Sequence, residues 1–450
     1  MNPSWSLKKI SDICDFQNSK RIPLKSLDRE KRQGEYPYYG ASGIVDYIDD
    51  YVFDGKYLLI SEDGENLRTR NTPIAFQAEG KFWVNNHAHI LSEKEQGILD
   101  YLEYYFSILN INPYITGAVQ PKLNKANLDV IEIPIPSLDE RLKINQILNS
   151  LKEKIKLNNQ INQTLESIAQ AIFKSWFIDF EPVRAKIAAK QTGQDPERAA
   201  MCAISGKSEA ELEQMAKEDF AELQATAALF SDEMQKSELG QVPKGWNINN
   251  IGSVANIVKG KSYKSSELND SEVALVTLKS FNRGGGYRLD GLKEFTGSYK
   301  AEQGVSPGEL VISYTDVTQS ADIIGKPALV IADPKYKHLV ISLDVAVVRP
   351  HKVYYKNFLY GLAKTRSFQL HTKAHASGTT VLHLSKNAIP DFRFVNASEE
   401  VLKKYEEITM PIFKKINQLI QENRTLNEVK LNILPKLFSG EINLSLLNKI

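Results

Sequence analysis

Residues 144–176, INQILNSLKEKIKLNNQINQTLESIAQAIFKSW, carry the clearest structural signal in this sequence. Within them, side chains suited to a helix interface recur at alternating steps of four and three residues. Because this spacing keeps one stripe of side chains facing a partner helix, it predicts a left-handed coiled coil. The seam positions are Ile144, Leu148, Leu151, Ile155, Asn158, Asn162, Leu165, Ala169, Ile172 and Trp176.

A second heptad stretch occurs late in the chain. Its seam positions are Ile412, Ile416, Leu419, Asn423, Leu426, Ile433 and Leu437, with Lys430 as a charged member. Two such helices in one chain predict an antiparallel intramolecular pair, and the alternative is that each helix packs on its own globular domain. We interpret Asn158, Asn162 and Asn423 as polar residues that set the register of the pair. A water-lined gap at these positions is the alternative.

The ends of both helices carry recognisable signals. The stretch 137–140, Ser-Leu-Asp-Glu, is a capping box, and Asn396 with Glu399 three residues later indicates the start of the second helix. We expect Pro411 to bend or break the second helix after its first turns. Gly440 is expected to end it.

The two helices belong to a long internal repeat. Residues 5–13, WSLKKISDI, parallel residues 246–254, WNINNIGSV, at an offset of 241. Residues 117–125, GAVQPKLNK, parallel residues 378–386, GTTVLHLSK, at an offset of 261, which also relates the helices. The twenty-residue change of offset predicts insertions within the second copy.

Each copy begins with short apolar runs broken by turn residues, such as YLLI at 57–60 and LVI at 310–312. Such runs predict mixed α+β domains with long loops. The predicted fold is therefore α+β, with two repeated mixed domains separated and joined by two long helices that form an antiparallel intramolecular coiled coil. The predicted boundaries are a first domain at 1–136, its helix at 137–180, a helical connector at 181–240, a second domain at 241–397, its helix at 398–440 and a tail at 441–450.

The connector is acidic. Residues 205–240 hold nine acidic and three basic side chains, a net charge of −6, which leaves +7 on the rest of a chain of formal net charge +1. That remainder permits DNA binding through local basic patches without requiring it. Ser208 and Glu211 form another capping box, which predicts one acidic helix. Its apolar stripe is expected to pack in a core, with a partner-binding surface as the alternative; the stripe comprises Leu212, Met215, Ala216, Phe220, Leu223 and Ala227.

The composition is that of a globular protein, with 42% hydrophobic and 25% charged residues. A length of 450 residues indicates several domains. No run approaches eighteen apolar residues, and no apolar segment follows a basic start, so we expect neither a membrane span nor a secretory signal. Cys14 and Cys202 are too few for a disulfide framework or a cysteine zinc site. These features predict a cytoplasmic protein.

The catalytic motifs that we sought are missing from the sequence. It has no glycine-rich loop of the phosphate-binding or dinucleotide type. Residues 112–114, Asn-Pro-Tyr, lack one proline of the motif that holds a flipped adenine in amino-methyltransferases. His87 with His89, and His371 with His375, have no carboxylate at a metal-ligand spacing. We therefore predict no catalytic residues and no metal.

Polar side chains that can contact DNA instead cluster in the loops of both domains. Arg, Lys, Asn and Gln can read base edges, whereas Lys, Ser and Thr can bind phosphates; any one of them alone also fits a solvated loop residue. In the first copy the candidates are Tyr39, Ser42, Arg68, Arg70, Asn71, Asn86, His87, Tyr114, Gln120 and Lys122. In the second copy they are Lys259, Lys261, Tyr263, Lys264, Lys279, Arg283, Tyr287, Thr315, Gln319, Ser320, His375, Ser377, Thr379 and Thr380.

Several stretches resemble the specificity subunits of type I restriction-modification systems. YYGASGI at 38–44 resembles a motif of many target-recognition domains in that family. IPIPSLDER at 133–141 and SWFIDFEPVR at 175–184 resemble its central conserved region. SELGQVPKGW at 237–246 resembles the start of the second domain in that family, and SGTTVLHL at 377–384 also resembles a stretch of that family. The resemblance covers essentially the whole chain.

The resemblance implies a subunit that reads an asymmetric, bipartite target in double-stranded DNA, one half per domain, with the helices setting the distance. It implies two modification subunits, docked by the helices and the connector, and two ATP-dependent restriction subunits. S-adenosylmethionine, ATP and Mg would belong to those partners, with no cofactor in this non-catalytic chain. Two alternatives stay open: a coiled-coil adaptor whose head domains bind proteins, and a fused enzyme.

Overall fold

The structure is a mixed α+β arrangement with two long helices of 36 and 41 residues. The computed structural model describes residues 5–318, 320–442 and 444. The α-helices of these residues are α1 (Ile10–Ile13), α2 (Ser26–Glu30), α3 (Asn66–Thr69), α4 (Ile98–Ile108), α5 (Lys125–Asp129), α6 (Leu138–Phe173), α7 (Glu181–Thr192), α8 (Pro196–Ser205), α9 (Glu209–Glu213), α10 (Lys217–Ala228), α11 (Ile251–Val254), α12 (Lys356–Lys364), α13 (Arg366–Ala374) and α14 (Glu399–Ser439). The long helices α6 and α14 and the α+β fold class are thus confirmed.

The first copy is built on a six-stranded sheet in the order β2-β7-β5-β6-β3-β4. Its strands are β1 (Ser6–Lys8), β2 (Cys14–Phe16), β3 (Gln33–Gly40), β4 (Gly43–Ile48), β5 (Phe53–Ser61), β6 (Ala75–Val84), β7 (Ala88–Glu93) and β8 (Ile133–Ile135). The pairs are antiparallel except for β3 with β6. β1 and β8 form a separate antiparallel pair, and β8 is the strand that precedes α6 in the chain.

The second copy repeats this arrangement after a connector hairpin of β9 (Met234–Ser237) and β10 (Gly240–Pro243). Its strands are β11 (Asn247–Asn250), β12 (Ala255–Lys259), β13 (Val273–Val276), β14 (Lys293–Glu294), β15 (Gly304–Val305), β16 (Leu310–Ser313), β17 (Thr315–Asp316), β18 (Pro327–Leu329), β19 (His338–Ile341), β20 (Val345–Pro350), β21 (Ala376–Ser377), β22 (Leu382–Leu384) and β23 (Arg393–Asn396). The order β12-β20-β16-β18 matches β2-β7-β5-β6, and β11 pairs with β23 as β1 does with β8.

The internal repeat is therefore structural, and its insertion is folded. The second copy holds an additional four-stranded sheet, β14-β13-β19-β15, where the first copy extends its main sheet with the β3–β4 hairpin. Residue contacts divide the whole chain into two units. The first unit runs to Asn159 and resumes at Ile420, and the second is Gln160–Leu419. Each unit thus contains one copy's domain and part of both long helices, while the domain boundaries drawn from sequence stay predictions.

The core of the first unit joins its domain to both long helices. Ile144 and Leu148 of α6 and Leu437 and Phe438 of α14 belong to the same buried cluster as the sheet and α4. The ring of Tyr101 on α4 lies 4.9 Å from that of Phe438, centroid to centroid. Because these apolar stripes are covered by the domain, the domain and helices of this unit fold as one body.

The core of the second unit is aromatic. Phe173 is the last residue of α6, and Trp176 and Phe177 follow it in the next turn. Their rings pack with Phe358 of α12 and Tyr405 of α14. Gly361 of α12 permits this packing, because a Cβ there would lie 2.4 Å from the ring of Phe173. A π-helical turn at Lys174–Ile178 follows α6 and carries two of these rings.

The antiparallel helix pair is confirmed by contacts within each unit. In the first unit, Asn158 Nδ2 donates to Asn423 Oδ1 at 2.9 Å, and Asn423 Nδ2 donates to Asn159 Oδ1 at 2.8 Å. In the second unit, the ring of Phe173 lies 6.0 Å from that of Tyr405. In the first unit, Tyr104 contacts both Asn149 of α6 and Lys430 of α14. Partners that advance along α6 from Asn149 to Asn158 therefore recede along α14 from Lys430 to Asn423, which is the antiparallel arrangement.

The seam side chains are buried or half-buried along both helices. The buried seam side chains include Leu148 and Asn158 of α6 and Leu419 and Asn423 of α14. Asn162 is half-buried, and its Oδ1 atom has no hydrogen-bond partner. Lys430 keeps its charge on the seam by placing Nζ 5.4 Å from the ring centroid of Tyr104, and burial lowers the pKa of this lysine.

The predicted start of α14 needs correction, and of the break or bend expected at Pro411 the break does not occur. The α14 helix runs without a break through Pro411, because only one hydrogen bond is lost and its acceptor residue, Glu407, faces solvent. The residue preceding α14 is Ser398, whose hydroxyl accepts from the Val401 amide, whereas Asn396 ends β23. The capping box of Ser137 is present as predicted, with its hydroxyl 2.8 Å from the Glu140 carboxylate.

The single acidic helix predicted after Ser208 is two helices, and the connector as a whole forms four. The capping box of Ser208 and Glu211 begins α9, but Ala216 has extended backbone angles and starts a separate helix, α10. Leu212 and Ala227 are buried with Met201 of α8, and Met215, Phe220 and Leu223 pack around them, whereas Ala216 is exposed. The stripe is thus a small core. Among the described residues, no helix is long and apolar enough to cross a membrane.

Candidate nucleic-acid interface

In the first copy, a loop network gathers where β5 ends at Ser61. The carboxylate of Glu62, the next residue, accepts a hydrogen bond from Arg21 Nη1 at 2.7 Å. Lys122 Nζ lies 3.5 Å from the same carboxylate. Burial alone would raise the pKa of Glu62, but the hydrogen bond from Arg21 and the neighbouring His89 and Lys122 hold it below its usual value. The carboxylate is therefore ionised and fixes three chain segments at one end of the sheet.

Residues 116–122 form a tight loop on this network, which we call the first closed turn. The amides of Thr116 and Lys122 each donate to the other's carbonyl oxygen at 2.8 Å. Gly117 has φ +85°, and a Cβ there would lie 2.1 Å from the Gln120 oxygen. Only glycine fits this position without opening the turn.

Arg68 holds the tip of the first closed turn. Its guanidinium donates to the carbonyl oxygens of Gly117 at 2.8 Å and Ala118 at 3.3 Å. The Gly64 amide adds a bond to the Pro121 oxygen at 3.0 Å. Val119, at the tip, is 95% exposed.

Several sequence-predicted candidates converge on this network. His87 is exposed and places Nδ1 2.9 Å from Asp63, and the carbonyl oxygen of Asn86 accepts from Arg21 at 3.2 Å. Ser42 lies exposed in the β3–β4 turn, beside Ala41, whose oxygen accepts from the Ser61 hydroxyl. Gln120 and Lys122 belong to the first closed turn itself.

Four other candidates of the first copy lie differently. Arg70 donates to the carbonyl oxygens of Phe106 and Leu109, and burial lowers the pKa of its guanidinium. Tyr39 packs on the rings of Phe76 and Phe82. Both side chains serve the fold. Asn71 is exposed near Arg70, and Tyr114 is half-buried before the closed turn.

The second copy repeats the same backbone network. Residues 377–383, the second closed turn, begin with Ser377 paired antiparallel to His383, the positions equivalent to Thr116 and Lys122. Gly378 has φ +137°, and a Cβ there would lie 2.0 Å from the Val381 oxygen. Residues Thr379 and Thr380 at the tip are exposed.

The neighbouring strand connections are also equivalent. The Glu62 amide donates to the His87 oxygen at 2.8 Å, and the Tyr314 amide donates to the Asp344 oxygen at 2.7 Å. The carbonyl oxygens of Glu62 and Tyr314 in turn accept from Leu123 and Leu384 amides, at 2.8 and 2.9 Å. One framework thus presents different side chains in the two copies.

Lys259 and a neighbouring loop complete the second network. Lys259 Nζ lies 4.1 Å from the ring centroid of Tyr314, and burial lowers the pKa of this lysine. Ser320 is exposed, and its carbonyl oxygen accepts from Lys373 at 3.3 Å. His375 is exposed just before the second closed turn. Gln319 lies outside the described residues.

Two DNA-contact candidates of the second copy have buried hydroxyl groups, which argues against a DNA contact by either. Thr315 is 2% exposed and its hydroxyl donates to Asp344 at 2.9 Å. The hydroxyl of Tyr287 is buried, and burial raises its pKa. A buried hydroxyl cannot reach a base. The sequence pattern does not distinguish a buried hydroxyl from an exposed one, so it gave both residues as candidates.

The remaining candidates of the second copy lie away from its closed turn or along its edge. Tyr263 accepts a hydrogen bond from Lys293 at 3.2 Å and packs with the additional sheet, with the exposed Lys264 beside it. Lys279 and Arg283 are exposed in the segment before β14. Lys261 is half-buried, and its amide donates to the Ile341 oxygen at 2.8 Å.

Sequence reasoning missed several residues that build the networks. Arg21 and Glu62 in the first copy and Asp316 in the second organise the loops around them. Asp316 accepts from the amides of Ile323 at 2.6 Å and Ile324 at 3.0 Å. Both networks start directly after runs that align between the copies, Ile60-Ser61 and Ile312-Ser313. Alignment of these runs in the sequence could have located both networks. In the described part of the chain, no three His, Cys, Asp or Glu side chains group as a metal site.

Comparisons with known proteins define the class to which this fold belongs. The model of the family described as "Type I restriction modification DNA specificity domain" matches residues 2–167. The Type I restriction enzyme HindI specificity subunit of Haemophilus influenzae is 30% identical over 445 residues, covering 95% of this chain and 91% of that protein. The Type I restriction enzyme MjaIX specificity subunit of Methanocaldococcus jannaschii is 23% identical, covering 97% and 93%.

The crystal structure of a type I restriction-modification S subunit from M. genitalium shares the fold, with a TM-score of 0.53 and 14% identity, covering 97% of this chain and 96% of that one. The chain belongs to the family of type I restriction enzyme specificity subunits. This membership supports a role in DNA recognition within a multisubunit complex, and it does not support the protein-binding adaptor.

Proposed function

We propose that this chain reads a bipartite, asymmetric DNA target, with one half-site for each copy. The observation that carries the proposal is the repeated closed turn. In both copies the turn is closed by an antiparallel residue pair and begins with a glycine of positive φ, while the tip side chains differ, Ala118–Gln120 in one and Thr379–Val381 in the other. Two rigid frames with different tips suit two different half-sites, because base edges are read by side chains.

Basic groups at the surface of each unit supply the contacts to phosphates in this proposal. Lys122 in the first copy, and Lys259, Lys264 and Lys279 in the second, lie at the surface of their units. Phosphate contacts release counterions, so affinity for duplex DNA should fall steeply as salt rises. A protein-binding adaptor would not show this slope.

The chain acts without a cofactor of its own in this proposal. S-adenosylmethionine, ATP and Mg are assigned to two modification and two restriction subunits, which assemble on the helix pair and on the connector, residues 181–240. A complex that works on chromosomal DNA places the protein in the cytoplasm. The purified chain is then expected to bind DNA but neither to methylate nor to cleave it.

The experiment is to co-express the chain with its modification subunit in a host free of adenine methylation and to map methylated adenines across the genome. We expect one bipartite motif. Exchanging residues 1–136 for those of another family member should change one half of that motif and leave the other. A motif that changes in both halves, or no motif, would refute the proposal.

A further inference from the structure

The tip of the first closed turn presents an apolar side chain with no partner. Val119 is 95% exposed, the largest exposed fraction among the large hydrophobic residues of the described chain. Its side chain adds nothing to the core of the first unit, since none of its surface is covered to a useful extent. An exposed valine alone needs no explanation, but its setting does.

The setting of Val119 is a surface loop that several hydrogen bonds hold in one conformation. The turn is closed by paired main-chain bonds between Thr116 and Lys122, and its tip is held by two bonds from Arg68. Gly117 locks it with a backbone conformation that other residues rarely adopt. A tip held in one conformation binds with little loss of entropy, which is what a recognition element needs.

The second copy places a comparable side chain at the equivalent position. Val119 corresponds to Thr380 at the offset of 261, and both are exposed. Valine and threonine share a branched Cβ that carries methyl groups. In the major groove, the 5-methyl group of thymine is the apolar feature of the base edges, and threonine methyl is among its usual contacts.

We propose that Val119 contacts the 5-methyl group of a thymine in the half-site of the first copy, and that Thr380 does so in the other. This inference rests on the proposed function. Val119 is then a specificity-determining residue, while Arg68 is a positioning residue that holds the tip. The neighbouring Gln120, which is exposed, is placed to hydrogen-bond an adjacent base edge.

The test uses the complex with its modification subunit and duplexes that carry the motif found by methylome mapping. Each thymine of the first half-site is replaced in turn by deoxyuridine, which lacks only the methyl group. With the wild-type chain, one position should lose affinity roughly four-fold, the effect of one buried methyl. With Val119→Ala, that position should become insensitive to the replacement, and the others should not change.

The matched control is Val130→Ala, which removes the same atoms from another exposed valine of the first unit. It should retain the wild-type response at every position. Thr380→Ser should erase a thymine response in the second half-site only. A wild-type complex with no thymine response, or a response that Val119→Ala leaves intact, would overturn the inference while the bipartite motif still supports the proposed function. Absence of any motif would overturn the proposed function itself.

Discussion

The two copies share main-chain hydrogen bonds at a position where their side chains make different contacts. Glu62 and Tyr314 occupy equivalent positions and make the same two main-chain bonds. Around Glu62 the first copy builds an ionic cluster with Arg21 and Lys122, whereas the second places Lys259 over the ring of Tyr314. A repeated backbone can therefore be stabilised by charge in one copy and by an aromatic ring in the other. What it conserves is the shape of the adjoining turn.

The largest effect is expected from adding a methyl group at the base of either turn. Gly117→Ala places Cβ against the Gln120 oxygen and costs at least ~2 kcal/mol in a left-handed conformation, so the first closed turn must open. We expect the complex to lose at least about thirty-fold in affinity for its target and to stop discriminating the first half-site. Titrations with duplexes scrambled in one half at a time measure this.

Gly80→Ala is the control for that substitution. Gly80 has φ +77°, close to that of Gly117, but no atom lies within 4 Å of its added Cβ. It should cost strain without loss of specificity. Gly378→Ala should affect only the second half-site, and a loss in both halves from either variant would mean that the turns do not act separately.

A smaller effect is expected from removing the charge of Glu62. Glu62→Gln leaves Arg21 with a weakened partner and should lower the stability of the first unit by about 1–3 kcal/mol. Tyr314→Phe should cost no more than ~1 kcal/mol, because it removes only long hydrogen bonds to the Ser385 and Lys386 oxygens. Hydrogen exchange of the strands before each residue, β5 and β16, reports the two losses separately.

The loss at Glu62 should depend on pH. The folded state holds the pKa of Glu62 below its usual 4.5. Its contribution is therefore present above about pH 4.5 and is lost as the pH falls through the folded value. The wild type and Glu62→Gln should converge in stability under acid, while Tyr314→Phe keeps a constant difference from the wild type. A Glu62→Gln deficit that does not shrink as the pH falls below 4.5 would contradict the ionic account.

The helix pair offers a third contrast, of about 1–2 kcal/mol. In the first unit, hydrogen-bonded asparagines lie on the seam between the two helices. In the second unit, the two helices are joined by the ring of Phe173, which packs on that of Tyr405. Asn423→Ala should destabilise the first unit because it leaves the Asn158 amide buried and unpaired. The double variant with leucine at 158 and 423 should recover that stability. Urea unfolding of the three chains decides whether the pair acts as a unit.

The smallest effect, under about 1 kcal/mol, is expected at Lys430, whose equivalent in the first helix is Ala169. Lys430→Met should stabilise the first unit slightly at neutral pH by removing a half-buried charge. Because the folded state lowers the pKa of Lys430, its penalty shrinks as the pH rises through the folded value. The two chains should therefore approach each other in thermal stability near pH 10.

Much of this architecture follows from periodicity alone. The heptads locate α6 and α14, and the offset of 261 locates both closed turns, since Gly117 and Gly378 are aligned by it. The roles of Arg70 and Thr315 could not be found in the same way. Their partners lie far along the chain, at the end of α4 and before β20, and no local pattern records such contacts.

The start of α14 shows a further limit. Asn396 followed by Glu399 satisfies the capping pattern, but pairing of Asn396 with Asn247 keeps it in β23 and moves the start to Ser398. Tertiary pairing outweighs a local signal there. Local rules predicted the presence of both long helices, and a long-range contact fixed the start of α14.

The way in which the closed turns are held has an evolutionary consequence. The bonds that shape the first turn reach main-chain oxygens, including both bonds from Arg68, so they do not depend on which side chains occupy residues 118–120. Under the proposed function, substitutions there would be nearly neutral for folding and visible to selection through the DNA sequence that is read. New target preferences would then arise by single codon changes at the tip, without a passage through unstable intermediates.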